Sequence, residues 1–205
     1  PNVENLGPAP WVPDTVALHV TMNVNIRDAF ENSATLVDEL FGEGEEEILE
    51  AIITDVRDDP NGPGIDIRKD LIWNLGNRVT VIVDYELPIT ATSERMLAGI
   101  EATDPEALAT AIRRSLETDP AVIRHDFQGH ELWEIVEAEA DDLPPVDIDL
   151  GGFGLEDDEE MTEEEPQGDL LANSIIAVAH GHLFISNRLE LLQAVISKPN
   201  NPLTL

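Results

Sequence analysis

Two stretches of the chain alternate apolar and polar residues with a period of two, and that spacing commits them to strands. Val16, Leu18, Val20, Met22 and Val24 fall on one side, with Ala17, His19, Thr21 and Asn23 on the other. Val79, Val81, Val83 and Tyr85 repeat the pattern against Thr80, Ile82 and Asp84. Successive side chains of a strand point to opposite faces, so each stretch predicts a half-buried strand with one apolar side. Met96 to Thr103 reads as a further strand. Val122 to Val136 reads as a hairpin turning at Gln128-Gly129, and Ile175 to Ser186 as one turning at His180-Gly181.

Helical spacing separates these strands. Phe30, Ala34, Val37 and Phe41 form one apolar stripe, and Ile48, Leu49, Ile52, Ile53 and Val56 a second. Asp66 is placed to cap a short third helix with Gly76 at its end. Asp104-Pro105 opens a helix that buries Leu108, Ala111, Ile112 and Leu116, because Pro at the first helical position forfeits no hydrogen bond. Asn187-Arg188-Leu189-Glu190 resembles a capping box before a last helix carrying Leu189, Leu192 and Ile196. The order is strand, helices, two strands, helix, four strands, helix. It predicts an α+β fold: a mixed, largely antiparallel sheet with helices packed on one face. Residues 16–85 and 96–198 both start strand-then-helix, as two diverged halves would. The expected organisation is a Pro- and Asn-rich linker over residues 1–15, one domain over 16–198 and a tail over 199–205.

Charge sets the partner classes. Eleven Lys and Arg face 43 Asp and Glu, a net charge of −32 in 205 residues. Nucleic acid and anionic membrane surfaces both call on basic residues, so neither is an expected partner; a protein or cell-envelope component is. Fifteen acids and no Lys or Arg fall between Glu137 and Asp169, a composition that predicts a disordered acidic insert over 137–169. The remaining residues are still acidic, and Lys69 and Lys198 are the only lysines, which fits a saline working environment. The absence of Cys excludes disulfides, thiolate metal sites and Cys nucleophiles.

The run from Asp66 through Leu75-Gly76 to Val83 is a helix, a Leu-Gly stop and a strand. It is followed by Asp104-Pro-Glu-Ala-Leu108, by Gly129-His-Glu-Leu-Trp133, and by the small-residue hairpin from Ile175 to Ser186 with its closing helix. In this succession the chain resembles a family of uncharacterised bacterial proteins, a domain of unknown function, often exported or membrane-anchored. The resemblance spans roughly Val16 to Lys198 and implies an extracytoplasmic or membrane-anchored setting within a longer precursor, which a start at Pro1 also suggests. It transfers no functional residues, and the acidic insert is not part of it.

Catalytic signatures are missing. There is no Gly-x-Ser-x-Gly elbow and no phosphate-binding loop. His130-Glu131-Leu132-Trp133-Glu134 mimics a zinc-protease motif but ends in Glu, and on a strand its ends lie about 13 Å apart. Asp147-Ile-Asp149-Leu-Gly151-Gly152 begins like a calcium loop and then departs from it at Gly151 and Asp158. One constellation survives. If the two hairpins pair as a meander, their turns share one end of the sheet, and His130, His180 and His182 gather there with Asp126 or Glu131. Imidazoles with a carboxylate suit Zn²⁺ or Mn²⁺. No cofactor is otherwise expected. The primary expectation is a non-catalytic binding or scaffolding module of an exported or envelope-associated protein; the alternative is a metal-dependent hydrolase using the His-bearing turns.

Overall fold

Two pairs of left-handed residues turn the chain back on itself at one end of a sheet. Gln128 and Gly129 have φ of 50° and 84°, and His180 and Gly181 have φ of 51° and 72°. Two-residue turns with positive φ at both positions match the twist of the flanking strands, so each closes a tight hairpin. In this computed structural model the described residues are 7–41, 48–60, 62–90, 93–136 and 174–198. The acidic tract 137–169, including the calcium-loop mimic, and the tail 199–205 lie outside them.

Among the described residues seven strands form one sheet: β1 (Leu18–Asn23), β2 (Leu75–Tyr85), β3 (Glu94–Ala102), β4 (Val122–Phe127), β5 (His130–Ile135), β6 (Ile175–Ala179) and β7 (His182–Ser186). The order across it is β1-β2-β3-β7-β6-β5-β4. Every neighbouring pair is antiparallel, so the α+β class holds and the sheet has no parallel element. The two sequence halves meet in this single layer and do not repeat their wiring. After its first strand and helices, the first half returns to pair β2 beside β1. The second half sends β4 to the far edge, and β3 pairs with β7.

The helices are α1 (Ile26–Phe41), α2 (Ile48–Asp58), α3 (Pro105–Leu116) and α4 (Leu189–Ser197), with one π turn at Ile67–Leu71 and a 3-10 turn at Ile72–Asn74. They pack on both faces of the sheet rather than one, and strand alternation shows how. Ala177 and Phe184 point to a first face, where α4 buries Leu191, Leu192, Val195 and Ile196. Their neighbours Ile176 and Leu183 point to a second face, where α3 packs Leu108 and Ile112 against Trp133. With strands apolar on both sides, both surfaces of this part of the sheet need cover.

Residues 7–15, within the expected linker, are packed against the sheet. Ala9, Trp11 and Val12 are buried in the first-face core. Trp11 is wholly inaccessible and stands edge-on to Phe184, with ring centres 4.9 Å apart. Gly99 makes room for it: a Cβ there would come within 2.5 Å of Trp11 Cζ2. Turn-rich composition excludes a regular element here but not packing, and one indole covers more apolar area than several small residues.

Local signals hold at most helix starts. Asp104 accepts from the Ala107 amide at 3.0 Å, and Asp66 from the Lys69 amide at 3.0 Å. The expected capping box fails. Arg188 sits at the cap position and its side chain does not cap the helix, while Asn187 accepts the Met96 amide at 2.7 Å, pinning the chain to β3. Gly76 lies inside β2, beneath the Glu101 side chain, and not at a helix end. Arg68, on the π turn, reaches Glu31 of α1 at 2.7 Å and also Glu50 of α2, tying three elements through one guanidinium.

Candidate functional site

The meander places the three histidines at the turn end of the sheet. His130 and His180 have ring centres 6.0 Å apart. Each of the three rings is oriented by a backbone carbonyl. His130 Nδ1 lies 3.2 Å from the Val178 oxygen, His180 Nε2 2.9 Å from that of Ile196, and His182 Nδ1 2.8 Å from that of His180. A ring nitrogen facing a carbonyl must carry a proton, so in a neutral ring the other nitrogen is the acceptor.

The carboxylates expected beside them are elsewhere. His130 points to the first face, so Glu131 points to the second, and Asp126 lies opposite Glu131 in the β4–β5 ladder. Both acids are taken up by cations: Glu131 pairs with Arg113 at 2.7 Å and Arg124 at 3.2 Å, and Asp126 with Arg124 at 3.0 Å. Among the described residues no three potential ligands converge on a metal position. The hairpin turns are legible in the sequence, but the strand alternation that separates His130 from Glu131 also separates the candidate ligands. Two acids on the first face escape sequence reasoning. Glu101 stands directly opposite His182 in the β3–β7 ladder, and Glu134 bonds His125 Nε2 at 2.7 Å. Both pairings depend on register, which residue spacing alone does not give.

The surroundings of His182 displace its protonation equilibrium. Burial beneath Trp11, whose ring centre is 5.6 Å away, holds its imidazole below the ordinary range. Its bond to the His180 carbonyl and the nearby charge of Glu101 act in the opposite direction and are outweighed. The balance favours the neutral ring.

Concavities add little chemistry. A depression of about 730 Å³ runs along α2, open to solvent and lined by Glu50, Asp55, Asp58 and Asp59 together with Ala51, Thr54 and Pro60. A smaller one of about 160 Å³ lies between α3 and the first hairpin, floored by Trp133 and Val178 and crossed by the Arg113–Glu131 pair.

The most unusual surface is an open apolar area on the second face, beyond the reach of α3. The β1–β2–β3 registers align Leu18, Val83 and Met96 in one row, and Val20, Val81 and Ala98 in the next, which continues to Ile185 of β7. Met22 and Val79 follow, and Tyr85 extends the area at the other end, where Glu94 marks its margin. Leu18 is 54 % exposed, and Val20, Met22, Tyr85 and Met96 between 39 and 43 %. These are the apolar sides of the two alternating stretches. Their partners Thr80 and Ile82 are the buried ones, on the face covered by α4 and Trp11.

Comparison with protein-family models, with curated proteins and with solved structures finds no match for this chain.

Proposed function

We propose that the chain is a non-catalytic binding or scaffolding module of an exported or envelope-associated bacterial protein, working through the open apolar area of β1, β2, β3 and β7. One observation carries the reading. A chain with 43 acids keeps every one of them off ten aligned positions across four strands, up to Glu94 at the margin. Contiguous exposed apolar surface of this kind marks interaction sites in water-soluble proteins. The envelope setting draws support from the resemblance in feature order and from the Lys-poor acidity.

Nile red, an uncharged probe of apolar surface, tests it. Saturable binding is expected, and it should be lost in Val20→Lys and Met96→Lys variants whose melting temperature stays near that of the parent. Absence of binding by the parent overturns the reading. A metal-dependent hydrolase centred on His130, His180 and His182 draws on the paired rings of His130 and His180. Stoichiometric Zn²⁺ or Mn²⁺ in purified protein, with a rise in melting temperature on adding that ion, would favour it instead.

A further inference from the structure

We propose that the open apolar area is the seat of a second copy of this chain, the two sheets stacking apolar face to apolar face about a two-fold axis. The inference rests on the binding reading above and names its partner. Five large side chains between 39 and 54 % exposed, with the half-buried valines among them, present on the order of 600 Å². That is at the upper end of the largest patch on an ordinary monomer and approaches the roughly 800 Å² each partner gives a standard stable interface. The edge and loop beside it supply the remainder: Leu87 and Ile89, in the β2–β3 connection, are 80 and 70 % exposed.

The identity of the partner follows from charge. A partner must lay an uncharged sheet or groove of similar outline on this area while keeping its own charges outside, and a second copy does both by construction. Two-fold pairing of one patch with itself is also the commonest way proteins associate. The edges of the sheet point the same way. The β4 edge is guarded by Arg124 and Asp126, as exposed edges usually are, whereas β1 reads Leu-His-Val-Thr-Met-Asn without Lys, Pro or an acid. Charge is thus withheld from the whole corner formed by the face and its adjoining edge. Two sheets stacked this way lie about 10 Å apart. The cost is repulsion between two bodies of −32, which salt screens.

Sedimentation equilibrium of the full chain at about 0.1 M and about 2 M NaCl tests this. The expected result is a mass moving from 22.5 kDa toward twice that value, with dissociation weakened about tenfold or more by the salt. Val20→Lys and Met96→Lys should hold the chain monomeric at high salt, while His19→Lys, on the same strand but the other face, should not. A dimer that survives both face variants overturns the proposal. A monomer at all salt concentrations that still binds Nile red overturns the second copy and leaves the binding reading standing; a monomer that binds no dye ends both. Should the lysine variants not fold, the Cys-free chain accepts a spin label at Met96→Cys. Stacked sheets require an intercopy distance under about 20 Å, and a longer one refutes the arrangement.

Discussion

Trp11 and Gly99 form one unit at the scale of single residues. The indole occupies the space that a side chain on residue 99 would take, with Phe184 closing the other side at 2.9 Å from an added Cβ. Gly99→Ala is therefore expected to lose about 1–3 kcal/mol, as overpacking does, and Trp11→Ala about 3–5 kcal/mol, as emptying a large core site does. Urea unfolding of both variants checks the order. His182 gives a pH effect from the same neighbourhood. Its folded value is depressed below the ordinary imidazole value near 6.5, so the unfolded chain takes up the proton first as pH falls. The stability it contributes is complete above that pH and is lost as the pH drops toward the folded value. The melting temperature should fall as the pH drops below about 6.5, and by less in a His182→Asn variant, so the difference between the two curves isolates this residue from the carboxylates.

At the scale of elements, helix α3 shows a local rule operating. Asp104 bonds the Ala107 amide and Pro105 follows, so Asp104→Ala is expected to cost about 1 kcal/mol in chemical denaturation, with no change in the sheet. Start signals and hairpin turns of this kind are legible in the sequence because they depend on two to four neighbouring residues. The strand alternation of Leu18–Asn23 and Leu75–Tyr85 is equally legible, yet it does not say which side is covered. That depends on where α4 and residues 7–16 land, and they come from opposite ends of the described chain. The failed capping box has a similar cause: Asn187 bonds β3, 91 residues away, in preference to its own helix. The His cluster is half legible. Residue types locate both turns, but not the facing of Glu131 or the register that sets Glu101 against His182.

The whole molecule folds against its own repulsion at −32. Ion pairs of Arg and Lys with acids, such as Arg57–Asp58 and Arg113–Glu131, offset only part of it, and exposed pairs contribute little each. The melting temperature is expected to rise with NaCl toward molar concentration as screening shortens the reach of these charges to about 3 Å. A Val20→Lys chain should show the same rise, which separates screening within one molecule from association between two. A flat profile in that variant would remove the saline-environment reading.

The β3–β7 seam has a consequence for how the chain is made. β3 ends at Ala102, and the strand that completes its other side begins at His182. At ~5–20 residues per second, the first three strands wait on the order of ten seconds at the ribosome with an unfilled inner margin. A nascent protein that must idle in this condition is vulnerable to capture by neighbouring polypeptides, and codons that slow translation between β3 and β7 should lower its soluble yield.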